Sequence, residues 1–177
     1  QSEIENRKSE IEVSAATNRV LDIYGSSRVE LPPDIFKPLT EATIEGWIKW
    51  NRLEPTASLA NFGPYSSKLW ISPSEGATER SATADLEAFI SPGPNQQHGI
   101  SVPNLLRTNE WFHIALVTGS GGMKLFVNGA LAGTNAYQGS CAALENDNRN
   151  WLGYNRNWMS TGPDESLSHP TLTCQLG

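Results

Sequence analysis

Short segments with the two-residue period of a β-strand fill most of this chain, and their repetition is the feature that most constrains its fold. In EATIEGWIKW, residues 41–50, apolar residues and Gly46 occupy the even positions and residues of mixed polarity occupy the odd positions. Turn-forming Gly, Pro, Asn and Ser separate this segment from others like it, and no segment after residue 19 has the apolar spacing of an amphipathic helix. Serial strands without intervening helices predict an all-β fold, a two-sheet antiparallel sandwich or a barrel, and exclude a doubly wound parallel sheet.

The predicted strands share short length, alternation and flanking turn residues. They are VLDIYG, RVEL, EATIEGWIKW, ASLANFG, KLWIS, TADLEAFI, HGISVP, EWFHIALVTG, the hairpin of residues 121–133 and NWLGYN. In the hairpin, Asn128-Gly129 supplies two residues that tolerate positive φ, which a type I′ turn requires; we expect this turn at a rim of the fold. EWFHIALVTG, residues 110–119, is apolar on both faces and predicts a central, covered strand.

The composition predicts one β-rich domain that follows a short charged segment. The chain has 177 residues with 15 Gly and 11 Pro, enough for one core and many turns. Residues 1–19 are charged, with Ile4 and Ile11 at heptad spacing, and are expected to form a linker or the end of an upstream helix. The domain is expected to be residues 20–177, with neighbouring domains in a longer chain.

The charge and the apolar runs exclude two classes of partner. A net charge of −6 disfavours a general nucleic-acid or anionic-membrane surface, and no apolar run approaches the roughly 18 residues that span a bilayer. We therefore expect neither a nucleic-acid partner nor membrane insertion. The compartment stays open, because two cysteines, Cys141 and Cys174, are too few to indicate one and their spacing does not show whether they pair.

Several motifs in one order give the chain a resemblance to a known family. VLDIYGSSRVELP, EATIEGWIKW, EWFHIALVTG, KLFVNG and NWLGYN, between residues 20 and 155, resemble the laminin-G-like jelly-roll domains of the concanavalin A-like lectin/glucanase superfamily. The shared elements include a T-x-E-x-W strand, a W-x-H-I-A strand and a Y/F-V-N-G hairpin. The resemblance implies two curved antiparallel sheets packed face to face, with loops at the rims.

One departure from that family concerns its structural calcium ion. In the family an acid in the first turn helps to hold this ion, whereas Ile23-Tyr24-Gly25 has a tyrosine there. Asp22 is adjacent, but in a strand it points to the opposite face, and calcium requires six to eight hard oxygen ligands. The sequence therefore predicts no cofactor or metal, with a structural calcium ion as the alternative.

A second departure concerns the closing strand of the domain. The chain ends with DESLSHPTLTCQLG, in which Gln175-Leu176-Gly177 would only open the family's last strand. We expect this strand to be incomplete and the domain to be truncated. The first strand, VLDIY, is then expected to have lost a neighbour and to lie at an exposed edge.

Catalytic chemistry has only weak support in the sequence. The superfamily includes glucanases, whose retaining members place two carboxylates roughly 5 Å apart on an E-x-D-x-E strand. The nearest match has Asp85 and Glu87 on one face, with Thr83 in place of the first acid, which favours a solvated strand face. His113 lies in no recognisable nucleophile motif and is expected to be half-buried and architectural. We predict no catalytic residue and no enzyme.

Candidate ligand contacts lie in the Asn-rich stretch near the end of the chain. Sugar-binding modules stack pyranose rings on aromatic side chains and bond hydroxyls through amides. Five residues fit that chemistry: Asn148, Asn150, Asn155, Asn157 and Trp158. The alternatives are an ordinary turn role for the asparagines and a Trp158 that folds back on the sandwich. The strand tryptophans, Trp47 and Trp111 among them, are expected in the core or on a sheet surface.

The sequence thus predicts a non-catalytic recognition module that binds carbohydrate or protein surfaces through its rim loops, as part of a larger protein. This function rests on resemblance of fold and on the missing catalytic motifs. A glycoside hydrolase of the glucanase type and a structural spacer without a ligand are the alternatives.

Overall fold

Two six-stranded antiparallel sheets pack face to face in the computed structural model, which describes residues 20–24, 27–78, 80–145, 149–153 and 173–176. The strands, in chain order, are β1 (Leu21–Tyr24), β2 (Val29–Glu30), β3 (Ala42–Trp50), β4 (Ala60–Phe62), β5 (Lys68–Pro73), β6 (Thr83–Gly93), β7 (Gln96–Arg107), β8 (Trp111–Thr118), β9 (Met123–Val127), β10 (Ala130–Asn135), β11 (Asn150–Leu152) and β12 (Thr173–Leu176). The first sheet has the order β1-β12-β3-β8-β9-β10 and the second β2-β11-β4-β5-β6-β7. A 3₁₀ turn, Cys141–Ala143, follows β10. The predicted jelly-roll sandwich is confirmed.

The alternation along β3 divides its side chains between the core and the solvent. Ile48 and Trp50 are completely buried, whereas Trp47 points outward and is exposed, as the period of two predicts. β3 pairs along its length with β8, so β8 lies in the middle of the first sheet as predicted. The prediction that β8 is covered on both faces is wrong, because Trp111 lies exposed on its outer side; an antiparallel sheet in a sandwich keeps one solvated face.

The core lies between the two sheets and is built mostly from inward-facing aliphatic side chains, with the aromatic rings of Trp50, Trp151, Phe62 and Phe112 among them. Its largest completely buried members are Trp50, Ile48, Leu53, Leu69, Ile71, Leu86, Ile90, Leu106, Ile114, Leu116, Met123 and Leu125. Burial of each such side chain contributes about 1.5–3 kcal/mol. The polar end of Trp50 is satisfied as well, because its Nε1–H donates to the carbonyl oxygen of Ala57 at 2.6 Å.

The strand β12 lies inside the first sheet, between β1 and β3. β12 pairs with β1 on one side and with residues Ile48–Trp50 of β3 on the other. The expectation that the first strand has lost its neighbour is therefore wrong, although β1 does form the edge of its sheet. Only four residues form β12, and their partners lie far away along the chain, so no local pattern indicates the pairing.

The hairpin turn is the predicted one, and it is anchored to β8. Asn128 and Gly129 have φ values of 50° and 81°, the left-handed region that a type I′ turn requires. Asn128 also exchanges two hydrogen bonds with the backbone of His113. Its N–H donates to the carbonyl of His113 at 2.8 Å, and its Oδ1 accepts from the N–H of His113 at 2.9 Å.

We expect Gly129→Ala to lower the free energy of unfolding by about 1–2 kcal/mol, because an L-residue is strained in the left-handed region. No heavy atom beyond its chain neighbours lies within 4 Å of the added Cβ, so the cost is a backbone effect alone. Gly121→Ala is the matched control, since its Cβ also meets nothing within 4 Å and its φ is not positive. Urea unfolding of the two variants checks this, and equal midpoints would contradict the turn assignment.

Trp50→Phe should lower the free energy of unfolding by about 2–4 kcal/mol, because it leaves a cavity and strands the carbonyl of Ala57. Trp111→Phe makes the same change at an exposed site and should cost less than about 0.5 kcal/mol. Thermal and urea unfolding measure both. A similar cost at the two positions would contradict the division of β3 and β8 into an inner and an outer face.

Candidate functional site

Two exposed tryptophans lie on the outer face of the first sheet, where β3 pairs with β8. Trp47 is 48% exposed and Trp111 is 37% exposed. In the register of the two strands Trp47 lies opposite His113, and Lys49 lies opposite Trp111. These four residues, which we call the tryptophan platform, form a block with the tryptophans on one diagonal and the two basic side chains on the other.

Contacts within the platform hold its side chains near one another. The Nζ of Lys49 lies 5.3 Å from the ring centre of Trp111, within the range of a cation–π contact. The rings of Trp47 and His113 have centres 5.2 Å apart and are tilted by 51°. On its other side His113 places Nε2 3.9 Å from Oε2 of Glu45. The prediction of a half-buried, architectural His113 agrees with this position.

The core fixes the backbone beneath the platform. Ile48 lies between Trp47 and Lys49 in sequence, and Phe112 lies between Trp111 and His113; both are buried on the inner face. A shift of β3 by one residue would turn Trp47 and Lys49 into the core and Ile48 and Trp50 out of it. The platform is therefore a rigid surface rather than a loop.

The row of outward positions next to the platform runs from Glu45 through Ala115 and Phe126 to Leu131. The row begins at an exposed carboxylate, Ala115 is buried and Phe126 is half-buried, so Leu131 is its one exposed apolar residue. The exposed apolar surface of the platform therefore does not continue along this row.

The outer face of the second sheet has a different aromatic cluster. Trp70 and Phe89 are stacked with ring centres 4.8 Å apart, and Trp70 is only 7% exposed. The Nζ of Lys68 lies 4.3 Å above the ring of Trp70 and 5.1 Å from that of Tyr65. Burial lowers the pKa of Lys68, and the negative charge of Glu75 opposes this in part. Only Tyr65 offers an exposed ring in this cluster.

The two carboxylates singled out on the glucanase pattern lie on that same face, in β6. Asp85 links β6 to β7, because its Oδ1 accepts the backbone N–H of Asn104 at 2.8 Å. This bond lies beside an irregularity in the β6–β7 pairing. The pKa of Glu87 is raised, first by burial and then by the charges of Glu75 and Asp85. Asp85 therefore has a structural role at the β6–β7 pairing, and Thr83 occupies the position of the pattern's first acid.

The predicted loop contacts fall largely outside the described residues. Asn148, Asn155, Asn157 and Trp158 all lie there, and their role in binding stays a prediction. Asn150 is described, and it is only 1% exposed. Its side-chain Nδ2 donates to the carbonyl of Pro32 at 3.2 Å, and its backbone carbonyl accepts the N–H of Leu31 at 2.8 Å. The structure thus places Asn150 in the fold, where it joins β11 to the segment after β2.

The described residues offer no metal centre. None of their His, Cys, Asp and Glu side chains form a group of three or more that could hold a metal ion. The side chain of Tyr24 and the whole of Gly25 lie outside the described part of the chain, so the structural calcium ion stays an open prediction. Cys141 is a buried free thiol, and burial raises its pKa. No helix in the described ranges is long and apolar enough to cross a membrane.

The sandwich and its motifs agree with the family that the sequence matches. A laminin G family model, described as the concanavalin A-like lectin/glucanases superfamily, matches residues 24–165. The chain belongs to this superfamily. No curated protein matches the sequence.

Solved structures with the same fold are similar to this chain at low sequence identity. The binding domain of botulinum neurotoxin DC, in complex with rat synaptotagmin II, has a TM-score of 0.58 at 15% identity, over 89% of this chain and 37% of that one. The CBM40 of a Ruminococcus gnavus IT-sialidase, bound to alpha2,3 sialyllactose, has a TM-score of 0.58 at 14% identity, over 87% and 90%. Domains LG4-5 of the mouse laminin alpha1 chain have a TM-score of 0.54 at 12% identity, over 85% and 38%. The chain thus spans well under half of the toxin and laminin structures, and the likeness shows the fold.

Glu87→Gln is expected to raise the melting temperature at pH 7 by about 1–2 °C. The folded state raises the pKa of Glu87 above its ordinary value of 4.5, so ionising this carboxylate costs stability once the pH exceeds that value. The gain should shrink as the pH falls and vanish below about 4.5. Glu110→Gln, at an exposed turn, controls for the change in net charge. A gain that is equal at pH 4 and pH 7 would contradict the buried position of Glu87.

Proposed function

We propose that this domain is a non-catalytic recognition module that binds carbohydrate on the tryptophan platform. The observation that carries the proposal is the exposure of Trp47 and Trp111 at diagonal positions of two adjacent strands of a rigid sheet. A protein of this size buries most of its large aromatic side chains, as it does with Trp50. Two outward-facing tryptophans on adjacent strands provide an exposed apolar surface that suits a ligand with an apolar face.

The groups around the two rings fit a sugar. A pyranose ring has an apolar face of C–H groups and a rim of hydroxyls. Trp47 and Trp111 offer flat apolar area for the face, while Lys49, His113 and Glu45 offer donors and acceptors for the rim. An apolar area with a few polar groups at its border is the composition of a small-ligand site. The second sheet does not offer such an area at Trp70, because that ring is covered.

The comparisons support both a carbohydrate and a protein as the kind of ligand this fold takes. One similar structure is a carbohydrate-binding module with sialyllactose bound, and another is a toxin binding domain in complex with synaptotagmin II. Neither places a ligand on this chain. The polar rim of the platform favours the carbohydrate, and a protein ligand is an outcome that the test can reveal.

The absence of catalysis is part of the same proposal. A retaining glycosidase needs a nucleophilic carboxylate and a second carboxylate as acid and base. Thr83 stands in place of the first acid of the glucanase pattern, and Asp85 accepts the backbone N–H of Asn104; these two observations support a structural role for Asp85. We therefore expect no release of reducing sugar from any polysaccharide that the domain binds. Release that disappears in Glu87→Gln would overturn this part of the proposal.

Trp47→Ala and Trp111→Ala should each weaken glycan binding about tenfold or more, because each removes an aromatic contact at the centre of the site. Affinity electrophoresis against a panel of soluble polysaccharides, followed by calorimetry with oligosaccharides, measures the effect. Tyr65→Ala removes an even more exposed ring, in the turn between β4 and β5 of the other sheet, and should leave binding unchanged. The melting temperatures of all three variants should stay close to that of the native chain, since the substitutions are at the surface.

Three outcomes would contradict the proposal. The native chain could retain no polysaccharide, which would favour a protein ligand or a spacer. Binding could survive both tryptophan substitutions. Binding could also be lost in Trp158→Ala and retained in both platform variants, which would place the ligand on the Asn-rich segment instead of the platform.

A further inference from the structure

We propose that Lys49 makes the tryptophan platform selective for acidic glycans, whose sugars carry a carboxylate or a sulfate. The inference rests on the proposed function, since it names the class of ligand for the same site. It starts from the electrostatics of the four platform residues and from the way in which the described lysines are partnered.

Lys49 is the one platform residue with a permanent positive charge, and within the described ranges no carboxylate forms an ion pair with it. Its recorded contact is with the ring of Trp111, 5.3 Å from Nζ. By contrast, Lys37 lies 3.9 Å from a carboxylate oxygen of Asp34, and Lys68 lies between two aromatic rings near Glu75. Lys49 thus keeps its N–H donors available at the surface.

The cation–π contact places this charge at a defined point of the platform. A lysine side chain is flexible and loses rotamer freedom when it binds an anion. An aromatic ring beneath the ammonium restrains it beforehand and is attracted to it. The ammonium can then donate to a carboxylate or sulfate oxygen, a charge-assisted bond that is stronger than one between neutral groups.

The spacing along β3 brings the charge within reach of a sugar stacked on Trp47. Lys49 is two residues further along the same face, which is about 7 Å in an extended strand. A ring that rests on Trp47 therefore presents its substituents to the Lys49 side chain. The acidic group of such a sugar meets the cation directly at the edge of the aromatic surface.

Glu45 makes the charge along the platform asymmetric, negative at one end and positive at the Lys49 end. It lies two residues from Trp47 on the opposite side from Lys49, beside His113. An anionic substituent is repelled at the Glu45 end and attracted at the Lys49 end, so an acidic sugar has one favoured orientation. A neutral sugar gains nothing from this polarity.

The attraction must be local, because the chain as a whole carries a net charge of −6. Long-range steering of an anion towards the protein is therefore unfavourable, and selectivity depends on contact with Lys49. Salt should weaken the binding of acidic ligands, because dissolved ions weaken a solvent-exposed contact between opposite charges. The binding of neutral ligands should change little with salt.

The test compares ligands that differ only in charge. Oligogalacturonides are compared with their methyl esters for the carboxylate arm, and sulfated galactan oligosaccharides with unsulfated ones for the sulfate arm. In at least one arm, calorimetry at low salt should show the acidic member binding about threefold to tenfold more tightly. Lys49→Gln should bring that ratio close to one, and Lys49→Arg should preserve it.

Lys124→Gln is the matched control, because it removes one positive charge from the outer face of the same sheet, away from the platform. It should leave the ratio unchanged. Equal affinity for acidic and neutral members in both arms would overturn the inference and leave glycan recognition intact. An equal loss for both members in Lys49→Gln would also overturn it, since Lys49 would then only support Trp111. Failure to bind any member of either arm, while neutral glycans of other kinds bind, would overturn it too; failure of all glycans would overturn the proposed function with it.

Discussion

The pairing of β3 with β8 is the constraint on which the rest of this molecule depends. Ile48 and Trp50 have to point into the sandwich, because nothing else on β3 can fill that part of the core. The period of a strand is two, so this requirement fixes Trp47 and Lys49 on the outer face. The cross-strand register then sets His113 and Trp111 beside them. The surface we propose as a binding site is thus a direct consequence of how the core is packed.

The tryptophans of this domain divide into those that support the fold and those that are exposed at its surface. Trp50 fills the core, and its Nε1–H finds a carbonyl there. Trp70 and Trp151 lie under charged side chains, with Lys68 over one ring and Arg28 over the other, so long polar side chains shield them from solvent. Trp47 and Trp111 remain 48% and 37% exposed, although Lys49 lies over the ring of Trp111. Exposed aromatic area costs solubility and gives the fold little, which favours a role in recognition.

Much of this fold can be predicted from the sequence, because its strands are regular and its hairpin turn has distinctive residues. The faces of β3 and the type I′ turn at Asn128-Gly129 follow from local patterns alone. β12 does not, since four residues without clear alternation gain their structure from partners distant in sequence. Asn150 is predicted as a ligand contact because its amide could bond sugar hydroxyls, but the structure buries that amide, and burial cannot be read from the residue type.

The candidate site was less accessible to sequence reasoning than the fold. Sequence places Trp47 and Trp111 in strands, but whether a strand tryptophan is buried depends on which sheet face it joins. The alternation of odd and even positions along β3 is the signal that could have distinguished the exposed tryptophan from the buried one, since Trp47 and Trp50 fall on opposite faces. The selectivity we propose for Lys49 depends on cross-strand register as well, and register is a property of two distant segments together.

The most direct test of the account is NMR spectroscopy of the indole N–H groups, of which the chain has six. The titrant is an oligosaccharide that the native chain retains in affinity electrophoresis. The account predicts that the signals of Trp47 and Trp111 shift with a common saturation curve, while that of the buried Trp50 stays in place. Shifts confined to Trp70 or Trp158, with Trp47 and Trp111 unchanged, would contradict it.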